Sequence, residues 1–322
     1  MGTGTDASGR PAPASDVQGI DTSVAHSARV YDFWLGGKDH YAADRAAGLA
    51  VLERNPGIVP GVRANRAFLT RAVRHLVAEA GIEQILDVGT GLPSAQPVHA
   101  VAQAIAPQTR IVYVDNDPIV IIHARALLRG EAESVTYLDA DVRDVDGLVA
   151  RVRSKLDLDR PVAVMLLMTM QFVLDEDDPV GIVHRLMRAL PSGSHLVLSH
   201  PARDDEVGVA NAATQRYNER VATPMQRRSR AEILRFFDGL TLLEPGLVAL
   251  ADWRPDPAPA AGAPAAGDPP AGDPTAGDAA DDVADGDGGA DATSDPVAAR
   301  LEAAARGDVP VSPAFCGVAR KD

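Results

Sequence analysis

The chain has 322 residues, a formal net charge of −14 at pH 7 and one cysteine, Cys316. A single cysteine excludes an internal disulfide, and the sequence has no basic patch interleaved with aromatic residues, so we expect no nucleic-acid partner. No stretch reaches the length of a membrane span, and residues 1–25 lack the apolar core of a signal peptide. We therefore expect a cytoplasmic protein without membrane contact.

The first 81 residues divide into a tail and a helical region. Residues 1–21 are rich in Gly, Ser, Pro, Ala and Asp, which predicts a disordered tail. Residues 22–81 are predicted to form a helical cap, with helices over 24–35, 41–54 and 62–80 that end at glycine or proline. Four arginines fall largely off the apolar stripe of the third helix, a pattern typical of a solvated face: Arg63, Arg66, Arg71 and Arg74.

Apolar runs then alternate with helical patterns, which predicts a parallel sheet. The predicted strands cover 84–88, 110–115, 134–139, 161–168, 194–199, 240–250 and 315–319. The predicted helices begin near Pro97, Pro118, Asp144, Asp178 and Ser229.

Residues 255–299 interrupt this pattern. They contain ten Asp and no Glu, Lys or Arg, so they carry −10 of the net charge of −14. Almost no side chain there is apolar and larger than Val, and a segment of that composition cannot offset its ordering entropy. We predict a disordered acidic insertion, followed by a short helix over 297–306.

The first strand ends in a motif that binds ligands. Asp87, Gly89 and Gly91 form an Asp-x-Gly-x-Gly run, and Asp115 stands at the tip of the next strand. Glycines let the backbone turn tightly and approach a ligand, and an acid at that tip can accept both hydroxyls of a ribose. The two signals together predict a site for an adenosine-containing cofactor at the carboxyl end of the sheet.

Two cofactor classes compete for this motif. A nicotinamide or flavin site usually has a third glycine where this chain has Ser94. A buried carboxylate at Asp87 would also face the negative pyrophosphate of a dinucleotide, whereas it suits the ammonium and sulfonium of S-adenosylmethionine. A nucleotide-dependent oxidoreductase stays the alternative at this point.

Several segments resemble the ordered motifs of class I S-adenosylmethionine-dependent methyltransferases: 87–91, 114–118, 139–144 and 190–199. The stretch 28–44 is similar to the actinobacterial family once called domain of unknown function 574, now S-adenosyl methyltransferases. The resemblance covers roughly residues 22–254 and 313–320. It implies an α/β, Rossmann-like, doubly wound fold. The sheet would be seven-stranded and mostly parallel, with an antiparallel last strand, and the cap would be N-terminal. The methyltransferase domain would comprise 82–254 plus 308–322.

The motifs assign cofactor roles residue by residue. Asp115 is predicted to hold the ribose, Gly89 and Gly91 to form the loop under the methionine part, and Asp87 to orient that loop or reach the ammonium. Asn116 is predicted beside the adenine. By resemblance, Asp141 accepts from the adenine amino group with Val142 near the ring, although Asp139 or Asp141 could instead cap the next helix.

Catalytic residues are harder to assign, because methyl transfer depends mainly on the cofactor's reactivity and on alignment. Gln171 stands where the family would lead us to expect a histidine, and glutamine cannot shuttle a proton. His200 follows the fifth strand and is a candidate general base. Tyr31 and His40, on either side of Gly36-Gly37, suggest a lid over the cofactor. The other histidines show no metal-ligand spacing, so no metal is predicted.

We therefore expect a methyltransferase that uses S-adenosylmethionine and acts on a small-molecule acceptor. A non-catalytic protein that binds the cofactor as a sensor or interaction module is the alternative from a different class, since the sequence has no clear base. Neither the acceptor nor the oligomeric state follows from the sequence.

Overall fold

The computed structural model describes residues 21–93, 96–127, 134–203, 209–221, 223–256, 296–306 and 310–322. The predicted tail up to residue 20, residues 257–295 of the predicted insertion, and Ser94 lie outside the described residues. The helices are α1 Ser27–Leu35, α2 Ala42–Leu52, α3 Ile58–Arg74, α4 Val98–Ile105, α5 Pro118–Leu127, α6 Val145–Val152, α7 Pro179–Arg188, α8 Val209–Asn218, α9 Arg230–Leu234 and α10 Pro296–Arg306. The strands are β1 Gln84–Val88, β2 Arg110–Asp115, β3 Val135–Asp139, β4 Ala163–Leu167, β5 His195–Pro201, β6 Thr241–Leu242, β7 Val248–Ala249 and β8 Ala314–Arg320.

One mixed sheet organises the molecule, in the order β3-β2-β1-β4-β5-β8-β6, with β7 also paired to β8. Strands β1 to β5 are parallel, whereas β8 runs antiparallel to β5, β6 and β7. This confirms the predicted mostly parallel sheet with an antiparallel last strand. The direction of strand progression reverses between β1 and β4, and ligands of open α/β sheets bind at the carboxyl edge beside such a switch point.

The predicted sixth strand over 240–250 is wrong as a single element. The segment forms two short strands, β6 and β7, which makes eight strands in the described part of the chain rather than seven. Between them lies a turn in which Gly246 has φ +88° and its N–H donates to the carbonyl of Leu243 at 2.8 Å. Glycine adopts this left-handed conformation readily, so Pro245-Gly246 interrupts the strand.

Helices cover both faces of the sheet, and each face has its own buried core. On one face α3 and α4 pack against β1, β2, β4 and β8 through residues such as Val73, Ala102 and Tyr113. On the other face α6, α7 and α9 pack through residues such as Leu148, Ile182 and Ile233. Helices are predicted to begin near Asp144, Asp178 and Ser229, and these residues are the N-caps of α6, α7 and α9, since each side chain accepts a backbone N–H in the first turn. None of the described helices has the length and apolarity needed to cross a membrane.

The N-terminal helices form a third buried cluster together with parts of α8 and α10. Helix α3 belongs to both the cap and the sheet. Val59 and Val62 in its first turns join the cap cluster, whereas Phe68 and Val73 further along pack on the sheet. A single rigid helix therefore fixes the cap relative to the strands.

The C-terminal segment ties the cap from the opposite direction. Leu301 of α10 is buried in the cap cluster. The Asn55 side chain donates to Ser312 Oγ at 3.0 Å, and Ser312 N donates to the carbonyl of Gly57 at 3.0 Å. The cap is thus held by residues from near both ends of the described chain.

Candidate functional site

The loop after β1 is held in a tight left-handed turn. Gly89 has φ +72° and Gly91 has φ +67°, and the N–H groups of Gly89 and Thr90 both donate to the carbonyl of Val114. A Cβ on Gly89 would lie 2.5 Å from the side chain of Thr169, whereas a Cβ on Gly91 would meet nothing within 4 Å. Gly89 is therefore needed for close packing, and the backbone at Gly91 borders open space.

Asp115 joins this loop to the tip of β2. Its Oδ2 accepts from Gly91 N at 2.8 Å and its Oδ1 accepts from Asp117 N at 2.9 Å. Burial, with 9% of the residue exposed, raises the pKa of Asp115 although both backbone hydrogen bonds oppose that shift. The structure thus brings a buried carboxyl group next to the open side of the Gly91 backbone.

Asp87 is the second buried acid of the loop. Thr90 Oγ1 donates to Asp87 Oδ2 at 3.3 Å. Burial raises the pKa of Asp87 to about 7, against an opposing effect of the Arg66 charge. A cation placed beside Asp87 would favour its charged form and offset the cost of burying it.

Three more predicted cofactor residues meet at the ends of β2 and β3. Asn116 Nδ2 donates to Asp141 Oδ2 at 3.1 Å, and Asp141 Oδ1 accepts from Arg143 N at 2.9 Å. Val142 is buried in the core beneath them. Together with the glycine loop, these residues line the carboxyl edge on the β1, β2 and β3 side of the switch point.

The cap reaches this edge at two places. At the start of α1, His26 Nδ1 lies 2.8 Å from Asp117 Oδ2, just beyond β2. Further along α1, the hydroxyl of Tyr31 accepts from Asn65 Nδ2 at 3.0 Å, and Asn65 Oδ1 accepts from Ser199 Oγ of β5 at 2.7 Å. Burial raises the pKa of Tyr31. This chain of hydrogen bonds joins Tyr31 of the cap to Ser199 of β5.

The loop that contains Gly36-Gly37 is organised around Asp32. Asp32 Oδ2 accepts from Asp39 N at 3.0 Å and lies 3.1 Å from His40 Nδ1. A Cβ on Gly37 would overlap the Asp32 carboxylate, so this position requires glycine. The ring of His40 also packs edge-on to Phe33 at 5.3 Å. These contacts of His40 are with α1 and its loop, and they do not bring it to the strand ends as a lid residue.

The chain leaves β4 through a strained turn. Met168 has φ +51°, and its N–H donates to Ser199 Oγ at 3.1 Å. Thr169 Oγ1 donates to the carbonyl of Val88 at 3.0 Å, which fixes this turn against the glycine loop. Gln171 is 5% exposed, its Nε2 donates to the carbonyl of Met168 at 2.6 Å, and its buried Oε1 has no partner among the described residues. A buried unpaired acceptor is costly, so Gln171 Oε1 is suited to receive a donor from a ligand.

His200 is held in an arrangement that does not suit a general base. It is fully buried, its Nδ1–H donates to the carbonyl of Pro201 at 2.9 Å, and its Nε2 accepts from Arg228 at 2.9 Å. Burial, followed by the nearby charge of Arg228, lowers the pKa of His200 to about 3. Both ring nitrogens are occupied by hydrogen bonds. His200 therefore stabilises the turn after β4, and its surroundings do not suit the general base expected from the sequence.

No group of three His, Cys, Asp or Glu side chains in the described ranges is arranged to hold a metal ion.

The sequence profile described as S-adenosyl methyltransferase matches residues 13–276, which is most of the chain. This protein belongs to the S-adenosyl methyltransferase family. The match decides between the two cofactor classes that the Asp-x-Gly-x-Gly motif allowed, a nicotinamide or flavin and S-adenosylmethionine. The protein is an S-adenosylmethionine-dependent methyltransferase, and neither the oxidoreductase nor the non-catalytic alternative is retained.

Two solved structures resemble this methyltransferase over almost its whole length. A DUF574 family protein from Streptomyces avermitilis is 38% identical with a TM-score of 0.75, and the alignment covers 94% of this chain and 99% of that one. A putative methyltransferase from Thermobifida fusca is 32% identical with a TM-score of 0.72, covering 94% and 96%. No curated protein matches the chain.

The described residues fit the cofactor of this family. The backbone at Gly91 borders open space, and two buried acids are hydrogen-bonded to the loop, Asp87 to Thr90 and Asp115 to Gly91. Asp115, next to Gly91, is suited to sugar hydroxyls, and Asp87 is suited to an ammonium group. When bound, S-adenosylmethionine supplies a methyl group activated by a sulfonium centre.

Proposed function

We propose that the protein methylates a small molecule held between the helical cap and the carboxyl ends of β4 and β5. The observation that carries this proposal is that the cap contacts the carboxyl edge of the sheet at two places, at β5 through the chain Tyr31, Asn65 and Ser199 and beyond β2 through His26 beside Asp117. A covered site suits a small acceptor better than a folded protein or a nucleic acid. Such a site also excludes water, and methyl transfer requires a dry site.

In this proposal the cofactor lies along the glycine loop. Gly89 and Gly91 lie under the methionine part and Asp87 faces the ammonium group. Asp115 accepts the ribose hydroxyls, while Asn116, Asp141 and Val142 surround the adenine. The support is the hydrogen-bonded continuity of these residues along the ends of β1, β2 and β3.

Gln171 and Tyr31 are the proposed acceptor contacts. The unpaired Oε1 of Gln171 accepts an N–H or O–H of the acceptor and orients its nucleophilic atom. Gln171 cannot take up a proton, and the raised pKa of Tyr31 keeps its hydroxyl neutral at physiological pH. We therefore propose an acceptor whose nucleophile needs no strong base, so that the chemistry rests on alignment and desolvation.

Transfer of a radioactive methyl group tests this function. The protein is incubated with methyl-labelled S-adenosylmethionine and a cell extract separated into small-molecule, protein and nucleic-acid fractions. We expect label in the small-molecule fraction, none with Asp115→Ala, and normal transfer with Asp146→Ala, a control acid that is exposed on α6. Label confined to proteins or nucleic acids would refute the small-molecule assignment.

A further inference from the structure

A chain of hydrogen bonds runs from the turn after β4 into the cap. The N–H of Met168 donates to Ser199 Oγ at 3.1 Å, and Ser199 Oγ donates to Asn65 Oδ1 at 2.7 Å. Asn65 Nδ2 donates to the hydroxyl of Tyr31 at 3.0 Å, and that hydroxyl donates to the carbonyl of Val62 at 3.3 Å. Asn65 and Ser199 are buried, so the middle of the chain is shielded from water.

The two ends of this chain fix the direction of every bond in it. A backbone N–H can only donate and a carbonyl oxygen can only accept. Because Ser199 Oγ accepts from Met168, its own proton goes to Asn65, and the Nδ2 group of Asn65 therefore faces Tyr31. The proton of Tyr31 is directed at Val62. Tyr31 can then offer a ligand only the remaining lone pair of its oxygen, and burial, which raises the pKa of Tyr31, keeps the proton in place.

The side chain of Gln171 is oriented through the same residue, Met168. Its Nε2 donates to the carbonyl of Met168 at 2.6 Å, and this bond distinguishes the two ends of the amide because a carbonyl cannot accept from Oε1. Oε1 is thereby left as the buried atom without a partner among the described residues. The two proposed acceptor contacts, Gln171 and Tyr31, thus each present a lone pair.

A nucleophile that matches two lone pairs has to bring its own hydrogen atoms. A thiolate, a carboxylate or a phenolate has none, so its negative charge would face oxygen lone pairs. An alcohol has one but needs a base to remove it, which Gln171 cannot be and which the bonded ring nitrogens of His200 do not allow. A neutral amine has N–H groups to donate and a separate lone pair that can attack the methyl group.

We infer that the methyl acceptor is an amine whose N–H groups donate to Gln171 Oε1 and to the hydroxyl oxygen of Tyr31. This inference rests on the proposed function and names the substrate class for it. The nitrogen lone pair forms the new N–C bond while the carbon–sulfur bond of the cofactor breaks, and the electron pair of that bond stays on sulfur in S-adenosylhomocysteine. Positive charge develops on the nitrogen, so both hydrogen bonds strengthen towards the transition state. The product ammonium gives its proton to water after release.

The chemistry of the labelled product tests this inference. The wild-type protein is incubated with methyl-labelled S-adenosylmethionine and the small-molecule fraction of a cell extract. In one sample the amines of the fraction are acetylated beforehand and hydroxylamine restores the hydroxyl groups; in a second sample the thiols are alkylated. We expect acetylation to abolish labelling and alkylation to leave it unchanged. The label should also survive alkali, which hydrolyses methyl esters and releases methanol.

Two variants test the contacts themselves. Tyr31→Phe and Gln171→Met each remove one lone pair at similar volume, and each should slow labelling by about 10- to 100-fold, as for loss of a hydrogen bond to a group that becomes charged. The dissociation constant of S-adenosylhomocysteine, measured by calorimetry, should change by less than about threefold. Tyr41→Phe, at an exposed tyrosine of the cap, should change neither quantity. Thermal unfolding checks that the variants fold, and Tyr31→Phe alone suffices if Gln171→Met does not.

The outcomes separate the inference from the proposed function. Label that alkali releases as methanol, or labelling that only thiol alkylation prevents, would overturn the amine acceptor and leave the small-molecule assignment standing. Parallel losses of labelling and of S-adenosylhomocysteine binding would place Tyr31 and Gln171 in the cofactor site and would also overturn the inference. Absence of label from the small-molecule fraction of the untreated extract would instead refute the proposed function, and the amine acceptor with it.

Discussion

At the scale of single residues, Asp87 shows how a binding site is held at a cost in stability. The group is almost completely buried, and burial raises its pKa from 3.8 to about 7. The folded chain therefore holds this proton more tightly than the unfolded chain does. The contribution of the Asp87 carboxyl group to the free energy of unfolding is therefore largest in acid. It falls as the pH rises from 3.8 and is fully lost above about 7.

Asp87→Asn should remove this pH dependence, because an amide does not ionise. Relative to wild type, we expect the variant to gain on the order of 2 kcal/mol in unfolding free energy between pH 5 and pH 8. Urea denaturation at the two pH values, without cofactor, measures the difference. Parallel stability profiles for the two proteins would contradict the raised pKa.

Gly89 and Gly91 have similar left-handed backbones and different surroundings, so they make a matched pair. Gly89→Ala should destabilise the fold by about 2 kcal/mol or more, because backbone strain adds to overlap with Thr169, whose hydroxyl is already bonded to Val88. Gly91→Ala should cost only about 1 kcal/mol of backbone strain.

The same pair separates stability from binding. Gly91→Ala adds a methyl group on the open side of the loop. It should therefore weaken S-adenosylhomocysteine binding and lower the melting temperature only slightly. Thermal unfolding and calorimetry on both variants provide the comparison. Equal stability losses in the two variants would show that Thr169 yields easily.

At the scale of elements, the turn after β4 depends on one buried arginine from the segment before α9. Arg228 is 3% exposed and donates to the carbonyls of Met170 and Val173, to Asp175 and to His200. These bonds hold the two sides of the turn that presents Gln171. The arrangement also explains why His200 points into the protein and away from a substrate.

Arg228→Met should lower the unfolding free energy by about 3 kcal/mol, since it leaves buried carbonyls without their donor. Arg203→Met, which breaks a pair with Glu232 that is about 40% exposed on each side, should cost less than about 1 kcal/mol. Chemical denaturation of both variants tests the contrast. A similar loss in the two would mean that the Arg228 cluster is no stronger than a surface ion pair.

The elements also show where sequence reasoning succeeds. Strands β1, β2, β4 and β5 are predictable because each contains an apolar run buried on both faces, whereas β3 is only partly buried. The split between β6 and β7 was signalled by Pro245-Gly246 and was missed, because the apolar residues on either side suggested one strand. Helix α8 was also missed; its buried residues are few, among them Ala213 and Tyr217, so its periodicity is weak.

The candidate site was predictable only where a motif fixes backbone position. Gly89, Gly91 and Asp115 come together because they end adjacent parallel strands. The contact of Arg66 with the carbonyl of Gln96 was not predictable, since a helical pattern distinguishes apolar from polar faces but does not say which neighbouring segment a polar side chain contacts. His200 stands at a strand end, yet alternation along a strand does not say whether a side chain near its end faces a ligand or a neighbouring helix.

At the scale of the whole molecule, the cap and the sheet are one cooperative structure. Helix α3 packs in both, and Ser312 and Leu301 join the cap from the other end of the chain. Described contacts of the cap begin at Asp21, whose carbonyl accepts from Arg29. The cap is therefore expected to unfold together with the sheet and not as a separate domain.

Removal of residues 1–20 should leave melting temperature and cofactor affinity unchanged. Removal of residues 1–57 takes away α1 and α2 and exposes Val59, Val62 and Leu301, so it should lower the melting temperature and weaken S-adenosylhomocysteine binding by about tenfold or more. Differential scanning calorimetry, titration and binding of a hydrophobic dye report these effects. Undiminished affinity in the shorter protein would show that the cap contributes nothing to the cofactor site.

The position of β8 in the sheet has a consequence for biosynthesis. This strand lies between β5 and the short strands β6 and β7, yet it follows all of the other described helices and strands in the chain and so leaves the ribosome after them. Until then β5 presents an open apolar edge, and such edges promote aggregation of nascent chains. The residues after β8 are also held in place, because Lys321 N donates to the carbonyl of Ser194 and Lys321 Nζ donates to that of Leu190. A premature stop codon that removes β8 should therefore leave insoluble protein.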